Sequence, residues 1–163
     1  MTPLRLLSLG TLLLSLAACH GEVDMTPLID RKIYLTDKFY DVQPVSAEKA
    51  IIVGYGGKIL LTNDAGRTWE VAQSNTDGAI YKVAMTDPSN GWAVGQAGLV
   101  LKTADGGKTW QKVDAGTDKS LFSIAAASPQ RLVAVGERAT VVSTEDGGAT
   151  WNTVKIEAKP REA

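Results

Sequence analysis

Trp69, Trp110 and Trp151 stand 41 residues apart, and that spacing governs what the chain can fold into. The same offset relates Thr62, Thr103 and Thr144, then Asp64, Asp105 and Asp146. It also relates Gly66, Gly107 and Gly148, and Thr68, Thr109 and Thr150. Upstream, Gly54, Gly95 and Gly136 keep phase, as do Tyr40, Tyr81 and Phe122, and Val42, Val83 and Ile124. The chain is three copies of one unit, and a unit that repeats at this period must be read as part of an array.

Within the second unit, AIYKVAM, GWAVG, LVLKT and WQKV are separated by DPSN, QA and ADGGKT. Each run is short, rich in β-branched or aromatic residues and bounded by turn formers, as strands are. No stretch after the leader carries a sustained 3.6-residue apolar stripe. Four antiparallel strands in a repeat of about 40–45 residues predict an all-β fold of propeller blades. One blade cannot bury its own faces, so neighbours must stack on it.

The most chemical-looking stretch is the ADGGKTW of the second unit. A calcium loop would bring several carboxylates at alternating positions, and each copy brings one. A phosphate loop would run into a helix whose amides meet the anion, and a strand follows instead. A structural turn fits every residue. The aspartate caps backbone amides, glycine supplies positive φ, and the tryptophan packs between blades with its indole N–H partnered. Asp64, Asp105 and Asp146 are therefore expected to be scaffold. GYGGK at 54–58 is read as a hairpin turn, because QAGL and ERAT at the same phase lack any nucleotide-loop pattern.

T-x-D-x-G-x-T-W resembles the Asp-box, or BNR, repeat of sialidases, sortilin-type receptors and some xyloglucan-cleaving enzymes. The longer pattern of Gly91-Trp92-Ala93-Val94-Gly95, Gly98, then Val100-Leu101-Lys102-Thr103, Asp105-Gly106-Gly107 and Thr109-Trp110 is narrower. It resembles the repeat of the photosystem II stability and assembly factor family, across residues 39–157. That resemblance implies seven-bladed propellers and non-catalytic scaffold proteins that assist assembly of a membrane complex, photosystem II in a photosynthetic host.

The sequence departs from that pattern in three ways. Ala139 stands where a second-turn glycine is expected, so that turn either changes type or carries strain at positive φ. Ala65 replaces the first Asp-box glycine of unit 1. Three blades also fall short of the about 4–8 that close a ring. Arg161-Glu162-Ala163 align with Ser120-Leu121-Phe122, where a further inner strand would begin. The expectation is a partial or truncated propeller, or a ring completed by two or more chains through open blade faces. A strand around Ile29–Leu35 could complete a last blade.

Residues 1–18 read as a secretory signal, with Arg5, an apolar run and small residues before Cys19. Leu16-Ala17-Ala18-Cys19 resembles the lipobox of bacterial lipoproteins, which implies lipid on Cys19 and attachment to a membrane facing the periplasm. His20 follows rather than aspartate, which favours the outer membrane in a Gram-negative host, with the thylakoid lumen side expected in a cyanobacterium. The resulting layout is 19–38 as an anchored N-terminal segment, 39–78, 79–119 and 120–157 as blades, and 158–163 as a tail. With 17 Lys+Arg against 18 Asp+Glu, nothing favours nucleic acid. One histidine and one cysteine exclude an ordinary zinc site and an internal disulfide framework. No cofactor or metal is expected.

In a four-stranded meander successive turns fall on alternate faces. The Asp boxes share one face with the first turns. The other carries the second turns, with Tyr55, Gln96, Glu137 and Arg138, and the connections between blades. These residues differ between units where the scaffold repeats, so partner binding is expected there. A sialidase would need converging arginines, and Arg67, Arg131 and Arg138 occupy three different phases. A retaining or inverting glycosidase would need two facing carboxylates; Asp41 and Asp87 are the available ones, neither with a facing partner in the pattern. A glycan-binding or glycan-cleaving protein, or a truncated fragment without function, are the rival expectations.

Overall fold

The computed structural model describes residues 33–154 and 156. They form three four-stranded antiparallel sheets in which sequence neighbours pair in order. The first sheet comprises β1 (Phe39–Pro44), β2 (Ala50–Gly54), β3 (Ile59–Thr62) and β4 (Glu70–Val71). The second comprises β5 (Ile80–Met85), β6 (Gly91–Gly95), β7 (Val100–Thr103) and β8 (Gln111–Val113). The third comprises β9 (Leu121–Ala126), β10 (Leu132–Gly136), β11 (Val141–Thr144) and β12 (Asn152–Val154). This is an open, partial propeller, and no α-helix occurs among the described residues.

The period-2 alternation within each strand sends successive side chains to opposite faces of its blade. Ile51, Val53, Ile59 and Leu61 of the first blade meet Ile80, Val83, Leu101 and Trp110 of the second. On the second blade's other face, Trp92, Val94 and Val100 meet Leu121, Ile124, Ala134 and Val142 of the third. β6 is therefore buried at every position, GWAVG, because it has a neighbour on both sides. Its counterpart β10 alternates: Leu132 and Ala134 are buried, while Val133 and Val135 are exposed on the third blade's outer face. Phe39 and Val42 are exposed on the first.

The glycine column Gly54, Gly95 and Gly136 has a packing reason. A Cβ built on any of them would run into the carbonyl oxygen of Lys38, Ala79 or Ser120, just ahead of the innermost strand. Beside this close approach each innermost strand carries a β-bulge. Pairing skips Tyr40 in β1, Tyr81 in β5 and Phe122 in β9.

The second turns keep their geometry in all three blades, including the one that lacks glycine. Gly57 and Gly98 have φ of 71° and 74°, and Ala139 follows at 56° directly after Arg138, also at 56°. The turn type is unchanged, so the alanine carries the strain. An L-residue in this region costs about 1–2 kcal/mol, partly offset by the entropy that glycine adds to the unfolded chain. Ala139→Gly is expected to raise stability by about 0.5–1 kcal/mol, read as a higher urea midpoint at unchanged slope.

The strand expected around Ile29–Leu35 does not extend over its described part. Residues 33–35 are not strand. The Tyr34 N–H donates to Asp37 Oδ2 at 2.8 Å and the Asp37 N–H to the Tyr34 carbonyl at 3.1 Å, closing a turn in place of a ladder edge. Residues 29–32 lie outside the described residues, as do the leader, Cys19 and the 158–163 tail.

Candidate functional site

Each Asp box closes on itself through one repeated network. The Thr62 hydroxyl donates to Asp64 Oδ1 at 2.8 Å and accepts the Gly66 N–H at 2.9 Å. Asp64 then accepts the Thr68 N–H at 2.8 Å and the Thr68 hydroxyl at 2.6 Å. Thr103, Asp105, Gly107 and Thr109 repeat it, as do Thr144, Asp146, Gly148 and Thr150. The buried threonine at the head of the box is its hub. In the sequence this threonine column is visible only as a repeat.

All three carboxylates are held at a pKa of about 2 against the usual 3.8. The Thr68 hydroxyl and N–H are the main cause at Asp64, and those of Thr150 at Asp146. At Asp105 burial pushes upward, and the Thr109 and Thr103 hydrogen bonds outweigh it. A depressed folded pKa contributes stability above pH 3.8 that is lost as pH falls through about 2. Asp105→Asn is accordingly expected to lower the urea midpoint at neutral pH and to flatten its decline between those two values.

The tryptophans finish the boxes differently according to what lies beneath them. Trp110 is fully buried between the first and second blades, and its indole N–H donates to the Gly107 carbonyl at 2.9 Å. Trp69 is half-buried on the first blade's outer face and donates to the Gly66 carbonyl at 3.1 Å. Trp151 packs edge-to-face on Trp92 with ring centroids 5.8 Å apart. Its Nε1 has no hydrogen-bond partner among the described residues, so the expected indole bond is seen in two boxes of three. The difference tracks the residue below, since Trp92 stands at the phase that Ile51 occupies under the second box.

The boxes are knitted to the first turns: the Ala65, Gly106 and Gly147 N–H groups donate to the Glu48, Ser89 and Gln130 carbonyls. The second turns lie at the other end of each blade. There the Tyr55, Gln96 and Glu137 N–H groups donate to the Lys38, Ala79 and Ser120 carbonyls at the entry to each innermost strand. Tyr55 is 63% exposed, Gln96 and Arg138 are exposed, and Glu137 is half-buried. Arg138 faces Glu137 at 3.6 Å, and Lys38 lies over the Tyr55 ring at 6.0 Å.

Tyr55 also lines a cavity of about 830 Å³ between the first second-turn and the connection to the next blade. Tyr34, Asp37, Lys58, Gln73 and Asp77 line it as well. Lys58 is fixed there by Asp37 at 2.6 Å and lies 4.8 Å from the Tyr34 ring centroid. In the sequence Lys58 stands only as the end of GYGGK and Tyr34 only within the Ile29–Leu35 segment, with nothing to pair them. Their meeting depends on the turn at 34–37, which no periodicity announces.

The two carboxylates considered for glycoside cleavage are both engaged in the framework. Asp41 accepts the Lys82 ammonium at 2.9 Å and the Val83 N–H at 3.0 Å, tying the first blade to the second. Asp87 accepts the Ser89 and Asn90 N–H groups, each at 2.8 Å, inside a first turn. Arg67 sits in a box turn and Arg131 in a first turn, while Arg138 sits in a second turn, so they do not converge.

The family model of the photosynthesis system II assembly factor YCF48 matches residues 23–117. Among solved structures, YCF48 bound to a D1 peptide is 24% identical, with a TM-score of 0.66 over 78% of this chain and 44% of that one. YCF48 from Cyanidioschyzon merolae is 22% identical, with a TM-score of 0.62 over 76% and 39%. An ancestral GH74 enzyme is 19% identical, with a TM-score of 0.59 over 72% and 18%. At these identities the likeness is one of fold. The chain spans under half the length of each of these structures. No curated protein matches the sequence.

Proposed function

The chain belongs to the photosynthesis system II assembly factor YCF48 family, and we propose from that premise that it is a non-catalytic scaffold binding a segment of a membrane protein. The carrying observation is the division of labour between the two ends of each blade. At the Asp-box end the repeating threonine and aspartate side chains of the boxes are consumed by the turns themselves. At the second-turn end the exposed Tyr55, Gln96 and Arg138 differ from blade to blade, and Tyr55 lines a cavity. Loops on a rigid frame that do not serve the frame are where binding residues concentrate. In a photosynthetic host the partner would be a photosystem II protein, in keeping with the D1 peptide held by the related structure. Elsewhere it would be another membrane protein or complex.

Lipid on Cys19 would hold this face near its partner, on the periplasmic side of a membrane, with the outer membrane favoured. The exposed outer faces of the first and third blades would be the surfaces through which copies associate, in keeping with Val133, Val135 and Val154 on one and Phe39 and Val42 on the other. The test is photocrosslinking from position 55 or 96, with position 108 on the Asp-box face as control. Crosslinks to membrane proteins from 55 and 96 alone are expected; equal yields from 108 would contradict the assignment of the face. Cys19→Ser is expected to release the protein from the membrane fraction, and unchanged fractionation would remove the anchor from the account.

A further inference from the structure

The three bulged residues of the innermost strands form one aromatic ladder across the blades. The Tyr40 and Tyr81 ring centroids are 5.4 Å apart at 66°, and those of Tyr81 and Phe122 are 5.8 Å apart at 48°. These rings contribute little to the core. Tyr40 is 46% and Phe122 53% exposed, while the neighbouring Ile80, Val83, Leu121 and Ile124 are buried. A bulge re-aims a side chain that regular pairing would place elsewhere, and the same bulge recurs in each blade. The ladder begins directly after the Lys38, Ala79 and Ser120 carbonyls that anchor the second turns, so it forms the inner rim of that face.

We infer that this ladder is a binding site for an extended polypeptide segment carrying apolar side chains at alternate positions. The inference rests on the reading of the second-turn face as a protein-binding surface. Alternate side chains of an extended chain repeat at about 6.7 Å, close enough to the ring spacing for successive ones to settle against successive rings. The rings are steeply inclined to one another, which makes notches between edges and faces rather than the flat platform a sugar ring stacks upon. Charge is matched as well. Lys82, beside Tyr81, is neutralised by Asp41 at 2.9 Å, so an apolar segment meets no uncompensated ammonium there. Tyrosine and phenylalanine are also among the residues enriched in the buried centres of protein interfaces.

The experiment is selection of a phage-displayed library of linear peptides on the full chain, followed by affinity measurement on variants. The expected result is enrichment of peptides with apolar residues at alternate positions. Their affinity should fall about tenfold or more in Phe122→Ser. Tyr40→Ser, at the other exposed end of the ladder, should act independently, with the urea midpoint confirming that each variant is folded. Peptides that ignore both substitutions but are lost in Tyr55→Ala or Arg138→Ala would overturn the ladder and leave the face standing. Failure to enrich any peptide would also overturn it, with the face then decided by crosslinking alone. Binding of xyloglucan oligosaccharides in place of peptides would assign the ladder to glycans and contradict the inference.

Discussion

Trp110→Ala is expected to destabilise the chain by about 3–5 kcal/mol, the range for removing a large buried aromatic side chain. The ring is fully buried in the cluster that joins the first and second blades. Below it lies the side that Ile51 and Leu61 present; both also crowd the Gly107 position of the same box. Truncation therefore opens a cavity at a seam that two rigid sheets cannot close by collapse. It also leaves the Gly107 carbonyl without its indole donor. Against a total stability of about 5–15 kcal/mol for a domain, such a loss makes the protein largely unfolded at moderate denaturant. The same substitution at Trp69 should cost clearly less, because that ring is only half-buried. Urea unfolding of the two variants side by side checks the difference; equal losses would show that the interblade seam is not what Trp110 stabilises.

Gly98→Ala is expected to be nearly as damaging, for a reason that lies in the backbone. Gly98 has φ of 74°, where an L-residue costs about 1–2 kcal/mol. A Cβ there would also overlap the carbonyl oxygen of Thr117 in the connection to the third blade. Relieving that overlap means moving a backbone segment, and overpacking of this kind costs about 1–3 kcal/mol more. The combined loss is about 2–5 kcal/mol. Gly57 stands in the same relation to Thr76 and should behave alike. Ala139 occupies the third such position, and its counterpart of Thr117, residue 158, lies outside the described residues. The contrast between Gly98→Ala and Ala139→Gly thus separates the clash from the strain: a loss at 98 no larger than the gain at 139 would remove the clash from the account.

The repeat makes most of the fold legible in the sequence alone. Strand identity follows from period-2 runs between turn residues, and the order of the sheets follows from a meander repeated three times. The separation of Asp boxes from second turns was legible too, because it depends only on counting turns. What escaped depends on contacts between strands. The hub role of Thr62, Thr103 and Thr144 needs the folded box, since a threonine at the end of a strand is unremarkable in sequence. Tyr40, Tyr81 and Phe122 were visible as a repeating column, but pairing register, not local pattern, decides that they are bulged and half-exposed. The turn at 34–37 escaped because a single carboxylate, Asp37, sets it and then fixes Lys58.

Asp41 shows the same limit from the other side. In sequence it was a carboxylate without a facing partner and therefore a candidate, if a poor one, for chemistry. In the fold it caps the Val83 N–H of the next blade and neutralises Lys82, one of the polar ties across a seam otherwise made of apolar side chains. A residue of this kind can be told from a catalytic one only once its neighbours are known.

The central claim is that the second-turn face binds protein while the Asp-box face serves the fold. The direct measurement is the affinity of the full chain for a linear peptide selected on it, in variants of each face. The double variant Tyr55→Ala, Arg138→Ala should weaken binding about tenfold or more, while Arg67→Ala with Lys108→Ala on the Asp-box face should leave it unchanged. Binding that survives the first pair and is lost with the second would contradict the account.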